Sequence, residues 1–261
     1  MIDANRRADA YLRAGDLEGA ARQYREAIRV ARTVEDTDGI ATNAINLSIV
    51  YQRMGKMEEA RGSLALLLDR SQLVFSQEHL AQAALRRAQL DLEERRASAG
   101  EWLDRANAYC GRGCSVSDAI QNVRGQLALD AGRPDQAAAS ARAALNASRA
   151  TGDRTEWANA LRLLGEIAIR TGDGASASGY LGEALAIDRE LGASRKIYLD
   201  LIALGRASAL RGDRAAARSF YERARAVSEA DRDNAGAAQA KTLIEALGDT
   251  VQARQPSAGR P

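Results

Sequence analysis

A glycine followed by a charged residue, with alanine five positions after the glycine, recurs along the chain. It is seen at Gly15-Asp16/Ala20, Gly55-Lys56/Ala60, Gly132-Arg133/Ala137, Gly172-Asp173/Ala177 and Gly212-Asp213/Ala217. The glycines are spaced by 40, 77, 40 and 40 residues. A fixed period of this size belongs to chains built from stacked supersecondary units, each burying its apolar face only against its neighbours. The 77-residue interval is two slightly short periods, so a degenerate unit is expected between Gly55 and Gly132. Ala99, Leu103 and Ala106 there take the places of Ala20, Tyr24 and Ala27.

Each unit reads as a helix, a tight turn and a second helix. Before the glycine, Leu161, Leu164, Ala168 and Leu201, Leu204, Ser208 follow helical spacing; after it, Ala177, Leu181, Ala184 and Ala217, Tyr221, Ala224 do the same. Glycine suits the left-handed residue that ends a helix. The Asp that follows it at three of the five sites can cap the next helix, and Pro134 fits a first helical position. Small residues at Ala8, Ser48, Gly125, Gly165 and Gly205 let the paired helices approach closely. A helical glycine costs about 1 kcal/mol relative to alanine, so its use at one register points to packing. Alanine fills 55 of 261 positions, aromatics are 4% and there are three prolines. That composition excludes collagen, a disulfide-dense secreted module and most β-sandwiches.

The Leu164-Gly165 and Leu204-Gly205 pairs, Tyr11 and Tyr51, the turn glycines and the Ala–aromatic/Leu–Ala series of the second helices resemble the tetratricopeptide repeat. The 40-residue spacing is similar to the extended-helix class of that family, with an inter-repeat Gly152-Asp153. The resemblance implies an all-α, right-handed α-solenoid of about six helix-turn-helix repeats. They fall at about 1–40, 41–78, 79–117, 118–157, 158–197 and 198–234, with a C-terminal capping helix at 235–252 and a disordered tail at 253–261. Leu243, Ile244, Leu247 and Val251 form the cap's apolar side, and Glu245 holds its small-residue position. The third unit departs most, lacking the turn glycine and placing Arg86-Arg87 where Leu-Gly usually sits.

Catalytic chemistry is hard to find. The chain has one histidine, His79, which leaves little room for a Ser-His-Asp or Cys-His arrangement and none for a paired-histidine zinc motif. No phosphate loop, dinucleotide fingerprint or nucleophile elbow occurs, so neither an enzyme nor a cofactor is expected. Cys110 and Cys114 lie in Cys-Gly-Arg-Gly-Cys. Inert free thiols are the default; three intervening residues permit a small disulfide loop, and two cysteines make at most half a zinc site. Trp102 and Trp157 read as packing residues. The net charge is +2, which argues against a nucleic-acid partner, and no run is long and apolar enough for a transmembrane segment. Without a basic-then-apolar leader the chain reads as cytoplasmic; the alternative is a periplasmic protein whose N-terminus is truncated or processed, which a Cys110–Cys114 disulfide would support.

What the resemblance implies about function is protein binding. First helices line the concave groove, and their outward positions meet a peptide segment or partner protein. Carried over by register, these are Asn5, Asp9 and Leu12; Ile45, Ile49 and Gln52 with Asn46; Asn122, Gln126 and Leu129; Arg162, Glu166 and Ile169; and Ile202, Arg206 and Ala209. Amides can hold peptide backbone while branched apolar side chains supply contact area. The alternatives are a regulatory sensor responding to a peptide or small effector, and an envelope assembly factor. The oligomeric state is left open.

Overall fold

The computed structural model describes residues 7–8, 10–12, 14–69, 73–111 and 113–252, with side chains through 248. All regular structure among the described residues is α-helical. The chain divides into two compact units, 1–127 and 128–261. Unit 1 holds helical residues ahead of Gly15, then α1 (Leu17–Thr33), α2 (Thr37–Arg53), α3 (Met57–Leu68), α4 (Gln77–Glu93), α5 (Ala99–Cys110) and most of α6 (Ser117–Asp130). Unit 2 takes the end of α6, then α7 (Pro134–Thr151), α8 (Arg154–Arg170), α9 (Gly174–Glu190), α10 (Ser194–Leu210), α11 (Arg214–Ala230) and α12 (Asn234–Gln252).

In unit 1, α1 through α5 each pack on the next, and the first helices α2 and α4 also touch one another. Unit 2 repeats the scheme from α7 through α12, with α8 touching α10. Neighbour packing plus first-helix contact is the architecture of an all-α helical repeat solenoid, and both units have it.

The turns follow the expected chemistry. Gly15, Gly55, Gly132, Gly172 and Gly212 all have positive φ. At Gly172 the glycine N–H and the next one turn back onto Ile169 O (3.2 Å) and Ala168 O (2.8 Å), satisfying carbonyls the helix end would leave open. Asp16, Asp173 and Asp213 accept hydrogen bonds from Gly19 N, Ser176 N and Ala216 N, capping the second helices. Asp36, Asp153 and Asp233 cap first helices in the same way. Pro134 is the first residue of α7.

Three turns keep this conformation without glycine: Glu35, Arg95 and Arg232 have φ of 51°, 55° and 58°. Arg95 corrects the reading of the third unit. It lies 40 residues after Gly55 and occupies the same turn, with Arg96 N donating to Asp91 O (2.7 Å). The small-residue position seven places earlier is therefore Ala88, fully buried, and the Leu-Gly register is held by Arg87-Ala88, not Arg86-Arg87. A left-handed residue costs an L side chain roughly 1–2 kcal/mol, of which the greater unfolded freedom of glycine offsets about 0.5–1. Arg95→Gly is therefore expected to stabilise the protein by about 0.5–1 kcal/mol. A denaturant midpoint that stays put or falls would refute this account of the turn.

The cores confirm why the crossing residue is small. A Cβ on Gly165 would lie 2.5 Å from Leu181 Cγ, and one on Gly205 would enter the ring of Tyr221. Ala137, Ala141, Ala144, Ala177, Ala184, Ala217 and Ala224 are all fully buried, which is how so alanine-rich a chain packs its helices. In α12, Leu243, Ile244 and Leu247 are half-buried on the last core cluster, while Glu245 is exposed. The side chain of Val251 and the tail 253–261 lie outside the described residues. No helix among the described residues is long and apolar enough to cross a membrane.

Candidate functional site

On the first-helix face of unit 1, the 3.6-residue period places Ile45, Ile49 and Gln52 on one stripe of α2, with Asn46 beside it. Ile45, Asn46 and Gln52 are half-buried, and Ile49 is 39% exposed, an unusual setting for a branched apolar side chain. Beside them α4 contributes Arg86. Its Nε donates to Ser48 Oγ (3.1 Å) and its Nη2 to Gln52 Oε1. The Gln52 amide in turn donates to Glu93. Asn5 and Asp9, predicted for the same face, lie outside the described residues; Leu12 is half-buried.

Unit 2 treats its predicted residues differently. Ile202 is 8% exposed and belongs to the core, as does Leu129. Arg162 turns inward, with its side chain 14% exposed. Its Nε donates to Asp200 Oδ1 (2.6 Å), its Nη1 to Asn159 Oδ1 (3.0 Å) and its Nη2 to Asp188. Both aspartates are fully buried, so this guanidinium ties α8 to α9 and α10 and is not offered to a partner. Glu166 and Arg206 pair with each other at 3.0 Å across α8 and α10. Ile169 and Ala209 are half-buried. Near the boundary of the units, Asn122 is buried and Gln126 half-buried. Register alone could not separate these cases, because Asp200 and Arg206, which engage Arg162 and Glu166, lie 38 and 40 residues further along the chain.

The Arg162 cluster carries one positive charge against two carboxylates. Burial, reinforced by Asp188, lifts Asp200 to about 6 in spite of Arg162. Lys196 is nearby, and burial together with Arg162 lowers its pKa. Unit 1 has a comparable cluster: Arg61, 3% exposed, meets Glu58 (2.7 Å), Glu94 (2.7 Å) and Asp91 (3.6 Å).

Cys110 and Cys114 are joined in a disulfide, with Cα atoms 5.1 Å apart, so the free-thiol expectation does not hold. Gly111 and Gly113, at φ 58° and 84°, let the loop close over so short a span. Ser115 beyond it donates through its backbone N–H to Glu78 (3.3 Å), fastening the loop to α4. Trp102 is half-buried between the guanidinium groups of Arg87 (5.1 Å) and Arg105 (4.2 Å), and Trp157 lies under that of Arg149 (4.8 Å). Ser76, His79 and Asp38 do meet, but Ser76 Oγ (2.9 Å) and Asp38 Oδ1 (3.5 Å) both address Nδ1 of the imidazole. A nucleophile relay needs the serine on one ring nitrogen and the acid on the other, and this serine already caps α4.

Helix pairs, left-handed turns and small crossing residues define a helical-repeat protein. Residues 2–72 match the family model for the tetratricopeptide repeat. Two solved structures share its fold. BtubC (BKLC) from P. vanneervenii is 17% identical with a TM-score of 0.59, the match covering 94% of this chain and 96% of that one. PilF from Pseudomonas aeruginosa is 18% identical with a TM-score of 0.54, covering 84% of this chain and 100% of that one. No curated protein sequence matches the chain.

Proposed function

We propose that the protein is a non-catalytic scaffold that binds a peptide segment or partner protein on its first helices, chiefly those of unit 1. The observation that carries this is the half-exposed Ile45, Asn46 and Ile49 stripe, which presents apolar area and the Asn46 amide where α2 and α4 lie side by side. In unit 2 the charged residues at the same register are engaged with each other or with buried aspartates, which favours unit 1. The test places a photo-reactive residue at Ile49 and, as control, at Val34, an exposed apolar residue at the end of a second helix. Cross-linking to a discrete protein in the native host from position 49 alone is the expected result. Cross-linking from 34 alone would move the site to the second helices and defeat the proposal.

The disulfide favours a further element of the reading, residence in an oxidising compartment such as the periplasm. Alkylation of cysteines in intact cells should then find Cys110 and Cys114 protected until a reductant is added. Full labelling without reductant would return the protein to a reducing compartment.

A further inference from the structure

Arg61, Arg86 and Arg162 are drawn away from solvent, and two of these three have the partners that withdrawal demands. Arg61 meets three carboxylates and Arg162 two. Arg86 is the exception. Its hydrogen-bond partners, the Ser48 hydroxyl and the Gln52 amide oxygen, are both neutral, and no carboxylate among the described residues lies within ion-pair distance of it. Removing a guanidinium from water is unfavourable unless an anion compensates, and neutral acceptors do so only in part. Burial accordingly pulls Arg86 down to about 10, which still leaves it cationic at neutral pH.

The carboxylate whose charge reaches Arg86 is Glu93, and Gln52 bonds to both: its Oε1 accepts from Arg86 while its Nε2 donates to Glu93. The amide thus bridges the charges without letting them pair. Two of the three guanidinium nitrogens are committed, and Nη1 has no described partner. Ser48, which accepts from Nε, donates its own hydroxyl to Ile45 O (2.6 Å) and is followed by the exposed Ile49. A cation with Nη1 uncommitted therefore adjoins an apolar stripe.

We propose that Arg86 receives an Asp or Glu side chain of an extended peptide whose apolar neighbours lie on Ile45 and Ile49. This rests on the reading that unit 1 binds a peptide and specifies the chemistry of that peptide. The uncommitted Nη1 suits donation to one side-chain carboxylate. In an extended peptide, side chains two residues apart share a face at a separation of roughly 7 Å, so acid and apolar residue can be read together.

The test uses the full chain, immobilised, and a pool of randomised nonapeptides blocked at both ends so that no terminal carboxylate contributes. Half the pool carries a central Glu and half a central Gln. Retained Glu peptides should exceed their Gln counterparts by about tenfold, the worth of one charge-assisted hydrogen bond. Arg86→Gln should abolish that preference. Glu93→Gln, which leaves Arg86 in place and removes a competing negative charge, should increase it; this variant carries the test if Arg86→Gln fails to fold. Equal retention of Glu and Gln peptides by the unaltered chain would overturn the role of Arg86 and leave the binding face standing. So would a Glu preference that survives Arg86→Gln or is indifferent to Glu93→Gln. Retention of no peptide at all would overturn both.

Discussion

Arg162→Met should destabilise unit 2 by about 3–5 kcal/mol at neutral pH, the usual consequence of deleting one side of a buried ion pair. The substitution preserves much of the side chain's apolar stem, so little of the loss is lost packing. What remains is Asp188 beside Asp200, both fully buried, with one oxygen of each already lacking a hydrogen-bond partner. The pH dependence identifies the cause. Asp200 stands at about 6 when folded against an ordinary 3.8. Across that window the folded state holds a proton the unfolded state has released. The contribution of Asp200 to stability is thus fully present below about 4 and lost as pH rises through about 6. Without Arg162 the carboxyl needs its proton more, so the loss should be smaller at pH 5 than at pH 7. Asp200→Asn should remove that slope. Urea denaturation at the two pH values decides it, and an Arg162→Met penalty independent of pH would show that the triad is not what holds these helices together.

Leu181→Ala should cost about 2–5 kcal/mol, the range for truncating a buried leucine. Leu181 is fully buried and lies against Gly165, where no side chain can lean in to fill the space. Gly165→Ala alone gains about 1 kcal/mol in helix propensity but forces its Cβ onto Leu181, an overpacking of roughly 1–3 kcal/mol. In the double variant the new methyl occupies part of the vacated volume. The two changes should therefore couple favourably, by on the order of 1 kcal/mol, when compared with their sum. Strict additivity in a double-mutant cycle would mean that Gly165 is not small because of Leu181.

These pairs show which parts of the molecule were legible in advance. The period, the helix-turn-helix unit, the glycine turns, the aspartate caps and the buried small residue at Gly165 and Gly205 could all be read from the chain. Each depends on local backbone geometry or on a partner within the same helix pair, and the repeat states it several times. The α2 stripe of Ile45, Ile49 and Gln52 was legible as a face for the same reason. The departures arose where local signals stop. Arg95 supports a left-handed turn without glycine because the flanking helices of its repeat hold it there, and missing that shifted the third register by one residue. Sequence spacing left the state of Cys110 and Cys114 open, since only closure of the loop brings their Cα atoms within 5.1 Å.

The larger division concerns direction. Sequence alone determined which residues share a helix face, because 3.6 residues per turn is a property of one helix. Tertiary structure decided which of them are available. Arg162 and Ile202 occupy one register, as do Glu166, Arg206 and Ile49, yet Arg162 is drawn onto Asp200 and Asp188 while Ile49 is left exposed. Arg86 is half-withdrawn over Ser48 and Gln52, 38 and 34 residues earlier. Whether a charge on a repeat is a tie or a free contact depends on the residue the adjoining repeat sets against it, and only the packing of one helix pair on the next makes that choice.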